Sequence, residues 1–216
     1  MRRASHSFAL ALALMSTGCS SVYYNAMEKI GFTKREILVD RVADAQKAQA
    51  NAKAQFASAL EHFIAVTKIN GGELQRKYDE LNREFTRSGE RAKEVHTRIA
   101  AIEDVADALF SEWKQELKQY SNASLRSESQ RQLDATRRRY DDLLRLMHRA
   151  AARMDPVLAS FRDQVLFLKH NLNARAIASL DSTTRDLESD VSRLIADMEA
   201  SIRESDTFIQ SLKNAG

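Results

Sequence analysis

Apolar residues recur three and four positions apart along most of this chain, from Thr33 onwards. That spacing places them on one face of an α-helix and is typical of helices that pack side by side. Thr33 and Glu36 have the spacing of a capping box, which predicts a helix start, and Asn70-Gly71-Gly72 predicts the turn that ends this helix. The apolar face of the first helix comprises Leu38, Val42, Ala45, Gln49, Ala52, Phe56, Ala59, Phe63 and Val66.

A second helix is predicted from about residue 73 to residue 120, which gives it a length of roughly 70 Å. The pattern breaks at Glu116, where the neighbouring Leu117 can take the apolar position. A polar turn at residues 121–124 follows, with Ser124 as a candidate N-cap of the next helix. The apolar face comprises Leu74, Tyr78, Leu81, Phe85, Ser88, Ala92, Val95, Ile99, Ile102, Ala106, Leu109, Trp113 and Tyr120.

A third helix is predicted to begin near Leu125 and contains the one proline of the chain, Pro156. Proline lacks an amide donor and disfavours helical geometry in the preceding residue, so the helix either kinks or gives way to a new helix capped by Asp155. We favour one kinked, continuous helix, because the apolar spacing continues on both sides. Its apolar face includes Leu133, Tyr140, Leu143, Met147, Ala150, Met154, Phe161, Val165, Leu168 and Leu172.

A fourth helix is predicted after residues 181–184, although no glycine or proline separates it from the third. Its apolar face comprises Leu187, Val191, Leu194, Met198, Ile202, Ser205, Ile209 and Leu212. Each helix has one apolar face and cannot bury it alone, and short polar turns join successive helices. The sequence therefore predicts an all-α fold, an elongated antiparallel helical bundle or coiled coil of three to four long helices, as one domain over residues 33–216.

The N-terminus has the features of a secretory signal over residues 1–18, followed by the only cysteine, Cys19. Two arginines precede an apolar run over residues 8–15 that is too short to span a bilayer, which needs about 20 residues. A cysteine directly after small residues predicts cleavage after Gly18 and lipid attachment to the Cys19 sulfur. The pattern resembles the bacterial lipobox, apart from Ser16 at a position that is usually aliphatic. Ser20 in place of aspartate resembles the sorting signal for the outer membrane.

Residues 19–32 are predicted to form a short membrane-proximal segment that ends at Gly31, a residue suited to helix termination. Tyr23 and Tyr24 are candidate binding residues in it, and either rest at the lipid interface or pack on the end of the bundle. Removal of Arg2 and Arg3 with the signal lowers the net charge from +3 to about +1. The only basic run, at residues 137–139, is flanked by aspartates, so no nucleic-acid partner is predicted.

No pattern in the sequence predicts a metal, a cofactor or a catalytic residue. A two-metal helical bundle usually uses glutamate three residues before histidine. Here Ala59, Lys93, Arg145 and Phe167 precede His62, His96, His148 and His170 at that spacing. Phosphate-binding loops and nucleophile elbows have no counterpart in the sequence.

The most unusual polar segment covers residues 169–175, where His170, Asn171, Asn173 and Arg175 are candidate partner-binding residues. Asparagine is a poor helix former, so the segment is either an exposed helix end or a polar patch that binds a partner.

Two segments resemble a family of Gram-negative envelope lipoproteins that is known only as a domain of unknown function. The first is Val22-Tyr23-Tyr24-Asn25-Ala26-Met27-Glu28-Lys29-Ile30-Gly31, and the second is Phe167-Leu168-Lys169-His170-Asn171-Leu172-Asn173-Ala174-Arg175-Ala176-Ile177. The resemblance extends over nearly the whole mature chain and implies an envelope lipoprotein, without implying catalytic residues.

The expected function is a non-enzymatic helical scaffold or protein-interaction module, lipid-anchored to the outer membrane and facing the periplasm. Its expected partners are the membrane, through Cys19, and an envelope protein. One alternative is a bundle that binds lipid or another small apolar ligand in a groove lined by Phe56, Phe63, Phe85 and Trp113. Another is self-association through an unpaired apolar face.

Overall fold

The computed structural model describes Tyr24, Met27, residues 31–68 and 73–171, Asn173, Ile177 and residues 180–214. Four long helices make up most of this part of the chain: α1 (Lys34–Thr67), α2 (Leu74–Glu116), α3 (Ala123–His170) and α4 (Asp181–Lys213). No strand occurs among the described residues. The prediction of an all-α fold with long helices is confirmed, and the number of long helices is four.

Neighbouring helices run in opposite directions. On α1 and α2, Gln55 bonds to Glu84 near the connecting turn, whereas Lys34 at the start of α1 bonds to Glu112 near the end of α2. The same reversal relates α1 to α4 (Gln46–Asp206 and Lys53–Glu199), α2 to α3 (His96–Asp155 and Glu103–His148) and α3 to α4 (Tyr140–Phe208 and Arg149–Asp197). Each helix packs against two others, so the four form a closed antiparallel bundle.

The core follows the apolar faces of the helices. All nine residues predicted for the apolar face of α1, from Leu38 to Val66, have no exposed surface. Ala45, Ala52 and Ala59 alternate there with larger residues, and such small side chains let neighbouring helices approach closely. The result is one continuous core along the whole bundle.

Side-chain hydrogen bonds cap the starts of α1 and α3. The Thr33 hydroxyl accepts from the Glu36 amide, and the Glu36 carboxylate accepts from the Thr33 amide at 2.8 Å, which confirms the capping box. The prediction of Ser124 as the cap of α3 is wrong. The Asn122 side chain caps this helix and accepts from the amides of Ser124 and Leu125, so α3 begins two residues earlier than predicted.

Two further features of the helices were predicted from the sequence. α3 continues through Pro156 as a single helix, as favoured above. α2 ends at Glu116, so the prediction that it reaches residue 120 is wrong. Leu117 is buried in place of Glu116, as expected, whereas Tyr120 is 40% exposed and does not belong to the apolar face.

The second and third helices are longer than the first and fourth. α2 and α3 contain 43 and 48 residues, against 34 in α1 and 33 in α4. Tyr140 packs beside Phe208, five residues before α4 ends. α3 therefore starts about 12 residues, or roughly 18 Å, beyond the end of α4. We call this projecting part of the α2–α3 hairpin, residues 113–131, the tip, and the opposite end of the bundle the distal end.

Candidate functional site

Tyr24 joins the segment before α1 to the bundle. Its side chain is 3% exposed, and its hydroxyl donates to the Asp104 carboxylate on α2 at 2.6 Å. Gly31 has a φ of +96°, and the Phe32 amide donates to the Met27 carbonyl at 3.0 Å, the geometry of a glycine-terminated helix end. Of the two alternatives for Tyr24, the structure shows packing on the bundle.

Asn171 terminates α3 at the distal end. Its amide donates to the Leu168 carbonyl at 3.1 Å, and its side-chain nitrogen donates to the Phe167 carbonyl at 2.9 Å. Asn173 continues the turn by donating its amide to the Asn171 carbonyl at 2.9 Å. These bonds satisfy carbonyls that a helix end leaves open, so the asparagines have a structural role at this terminus. His170 is exposed on the surface beside them.

The structure does not bring the predicted binding residues together. Tyr24 lies against Asp104, which is 30 residues along α2 from Leu74 at the distal end, or about 45 Å. His170, Asn171 and Asn173 lie at that distal end, so they cannot form one site with Tyr24. Cys19, Tyr23 and Arg175 lie outside the described residues.

An exposed apolar pair at the distal end was not identified from the sequence. Leu166 is 52% exposed and Phe167 is 38% exposed, although both lie in α3 close to its end. They lie between Val165 and Leu168, which the heptad pattern places on the apolar face and which are buried, so the exposed pair falls outside that face. The run Val165-Leu166-Phe167-Leu168 was the available signal, because it is wider than one helix face requires.

Among the described residues, the two most buried carboxylates are held by partners within the bundle. Asp197 on α4 is 6% exposed and accepts hydrogen bonds from Arg149 and Arg153 on α3. Burial alone would raise the pKa of Asp197, but the two arginines outweigh it and hold this pKa below its ordinary value. These bonds attach α4 to α3.

Glu84 on α2 is likewise buried and hydrogen-bonded to a neighbouring helix. Its carboxylate accepts from the side-chain nitrogen of Gln55 at 2.6 Å and from the Ser58 hydroxyl at 3.3 Å, both on α1. Burial would raise the pKa of Glu84, but the hydrogen bond from Gln55 and the positive charge of Arg87 outweigh it and lower this pKa. Both carboxylates are therefore ionised structural contacts between neighbouring helices.

Gln49 and Ser201 form a polar contact inside the core. Neither has exposed surface, and the Ser201 hydroxyl donates to the Gln49 side-chain oxygen at 3.0 Å. Among the described residues, the Gln49 side-chain nitrogen has no hydrogen-bond partner. A buried donor without a partner is costly, whereas the bond to Ser201 forms only when α1 and α4 are correctly aligned.

Four cations line an open groove of about 550 Å³ at the tip. Lys114 and Lys118 come from the end of α2 and the turn after it, and Arg126 and Arg131 come from the first turns of α3. No carboxylate lines this groove. Arg131 is paired with Glu128, whereas Lys114, Lys118 and Arg126 make no ion pair within the part of the chain that the structure describes.

No run of basic residues in the sequence marks this groove, and it was therefore not predicted. Of the run at residues 137–139, Arg137 lies in an adjoining groove with Lys114 and Lys118, where it pairs with Asp141 at 3.4 Å and lies over the Phe110 ring. Lys114 and Lys118 are four residues apart and so share one helix face, which was the available signal. Their approach to Arg126 depends on the hairpin.

Of the four aromatic residues considered for a ligand groove, Phe56, Phe63 and Trp113 do not line a common surface. Phe56 and Phe63 have no exposed surface, and the Phe63 ring packs edge-on against Phe161 at 6.3 Å between ring centroids. Trp113 lies at the tip, where its indole nitrogen donates to the Ser129 hydroxyl at 2.8 Å. Trp113 therefore packs far along the bundle from Phe56 and Phe63, whereas Phe85 is half-buried beside the Gln55–Glu84 contact.

The part of the chain that the structure describes contains neither a cluster of metal ligands nor a membrane-spanning helix. No group of three histidine, cysteine, aspartate or glutamate side chains lies close enough there to hold a metal ion. No helix in that part of the chain has an apolar stretch long enough to cross a membrane.

Fold and surface together define a closed, antiparallel four-helix bundle with a projecting hairpin. Residues 23–212 match the family described as protein of unknown function DUF2959, so the chain belongs to this family. No curated protein and no solved structure matches the chain.

Proposed function

We propose that this protein is a non-enzymatic lipoprotein of the cell envelope, anchored through Cys19 to the outer membrane and facing the periplasm, where it acts as a scaffold or protein-interaction module. The observation that carries the proposal is the bond between Tyr24 and Asp104. Cys19 precedes Tyr24 by five residues, so the two Cα atoms are separated by at most about 18 Å. An anchor at Cys19 would therefore act on the tip half of the bundle.

This geometry supports a role for the distal end in partner binding. The distal end lies about 45 Å along α2 from the residue that Tyr24 contacts. Leu166 and Phe167 expose apolar surface there, next to the imidazole of His170. Exposed apolar side chains beside polar groups are the usual composition of a protein-binding surface. The buried carboxylates of Asp197 and Glu84 are engaged within the bundle, which supports a non-enzymatic role.

A photoreactive phenylalanine analogue placed at Phe167 tests the proposal in living cells. The matched control carries the same analogue at Lys93, an exposed position in the middle of α2. We expect one discrete crosslinked product from position 167 and none from position 93. The product should disappear in Cys19→Ala, which lacks the proposed anchor. Equal products from both positions, or a product that persists without Cys19, would contradict the proposal.

A further inference from the structure

We propose that the tip is a membrane-contact surface that binds the anionic phospholipid headgroups of the membrane in which the anchor lies. This inference rests on the proposed lipid anchor at Cys19. It concerns a different part of the molecule from the proposed partner surface at the distal end, and so it predicts opposite environments for the two ends of the bundle.

The charges of the tip fit a phosphate-bearing surface. Lys114, Lys118 and Arg126 line its groove without an ion-pair partner in the described structure. Glu112 pairs with Lys34, and Glu128 pairs with Arg131. Glu116 is two residues from Lys114 and so on the opposite face of α2. Asp107 lies in an adjoining groove with Lys114 and Lys118, so one carboxylate stands beside these two cations. Each lysine or arginine close to an anionic membrane strengthens binding about fivefold.

The apolar residues of this end fit the interfacial layer of a membrane. Tyr120 is 40% exposed in the turn of the hairpin, and Leu125 is 57% exposed in the first turn of α3. Phe32, 47% exposed, lies at the start of α1 at the same end. Aromatic and aliphatic side chains surrounded by lysine and arginine are typical of surfaces that rest at the headgroup level of a bilayer.

The reach of the anchor permits this contact. From Asp104, α2 continues for 12 residues to Glu116, about 18 Å towards the tip. The chain between Tyr24 and Cys19 spans up to about the same distance. A lipid on Cys19 can therefore enter the same membrane surface that the tip touches. Because the anchor holds the tip nearby, even weak headgroup binding becomes an intramolecular contact.

A fluorescent label at the tip tests the inference on the mature, lipid-anchored protein. Cys19 is the only cysteine and its sulfur is blocked in the proposed lipid-modified form, so Ser121→Cys provides a single labelling site. The labelled protein is reconstituted into vesicles of phosphatidylcholine, alone or mixed with phosphatidylglycerol, that contain lipids brominated on their acyl chains. Glu73→Cys carries the same label at the distal end as the position control.

We expect bromine quenching of the label at position 121 in the vesicles that contain phosphatidylglycerol, and little quenching at position 73. Replacing Lys114, Lys118 and Arg126 with glutamine should weaken docking of the tip about a hundredfold, at about fivefold per cation. The matched charge control replaces Arg83, Lys93 and Arg162, which are exposed and lie away from the tip, and should leave quenching unchanged. Thermal melting verifies that both triple variants fold, and added salt should release the tip of the unsubstituted protein.

Three results would overturn the inference. The first is equal quenching in neutral and anionic vesicles that the glutamine substitutions do not change. The second is an emission change caused by inorganic phosphate without vesicles, which would assign the groove to a soluble anion. The third is an unquenched tip label on protein that floats with the vesicles. Flotation reports on the anchor alone, so this third result leaves the proposed function intact, whereas protein that does not float contradicts both.

Discussion

Asp197→Asn tests the polar attachment of α4 to α3. The Asp197 carboxylate is 6% exposed and accepts from Arg149 and Arg153, which lie one turn apart on α3. Asparagine preserves the size of the side chain but removes the charge that both arginines contact. We expect the bundle to remain folded and its free energy of unfolding to fall.

The expected loss for Asp197→Asn is about 2 kcal/mol. Hydrogen bonds to charged groups contribute about 1.5–3 kcal/mol each, but the net value is smaller when a partner can return to water. Here the Arg149 side chain is 59% exposed and that of Arg153 is 36% exposed, so both can be solvated again. In a domain of this size the loss corresponds to a melting temperature lower by about 4–8 °C.

Urea unfolding followed by circular dichroism measures this loss, with Asp190→Asn as the matched control. Asp190 pairs with Arg193 on the same helix, and both side chains are well exposed, so its substitution should cost less than about 0.5 kcal/mol. Equal losses in the two variants would refute the assignment of Asp197 as a buried contact between helices.

The pH dependence provides a second, independent check on Asp197. Its pKa is lowered in the folded state, so the stabilisation is present above the ordinary aspartate pKa of 3.8 and is lost as the pH falls below that value. A protonated aspartic acid resembles asparagine in shape and charge. The difference between the wild-type protein and Asp197→Asn should therefore be constant near neutral pH and shrink below pH 3.8. A difference that stays the same at acid pH would contradict the reasoning.

Three further substitutions, two of them paired with a control substitution, test the core and a helix cap by the same urea titration. Gln49→Leu should raise the free energy of unfolding by about 1 kcal/mol, because it removes a buried amide donor without a partner. Phe161→Ala should lower it by about 3–4 kcal/mol, because Phe161 has no exposed surface, whereas Phe167→Ala should cost less than about 1 kcal/mol. Asn122→Ala should cost about 1 kcal/mol by removing the cap of α3, and Ser124→Ala only a few tenths.

For each of these substitutions, one result would contradict the prediction. A destabilising Gln49→Leu would show that the bond to Ser201 outweighs the unpartnered nitrogen. Similar losses at Phe161 and Phe167 would contradict the arrangement of the outer and inner faces of α3. A larger loss of stability for Ser124→Ala than for Asn122→Ala would indicate that Ser124 caps α3, as predicted from the sequence.

The heptad spacing predicts the core where a helix has one narrow apolar face. α1 is such a helix, and every predicted position on it is buried. α4 contains the adjacent pair Phe208 and Ile209, and only Ile209 was predicted for the core, whereas Phe208 has no exposed surface. Ser201 is likewise fully buried, while the predicted Ile202 is partly exposed. Packing against two neighbours buries a wider face than a heptad pattern marks.

The candidate sites were less predictable because they depend on contacts between distant residues. The bond between Tyr24 and Asp104 joins positions 80 residues apart, so no local pattern indicates it. The cations of the tip belong to two helices and meet through the hairpin turn. Local chemistry was more informative at Thr33, where the capping box needs only neighbouring residues.

The central claim is that Cys19 carries the lipid that anchors this bundle to a membrane. Mass spectrometry of the N-terminal peptide from the membrane fraction tests it most directly, with Cys19→Ala as the control. We predict a mature chain that begins at Cys19 with acyl chains attached, and loss of the protein from the membrane fraction in Cys19→Ala. A mature chain that begins elsewhere, or an unmodified Cys19 thiol, would contradict the claim.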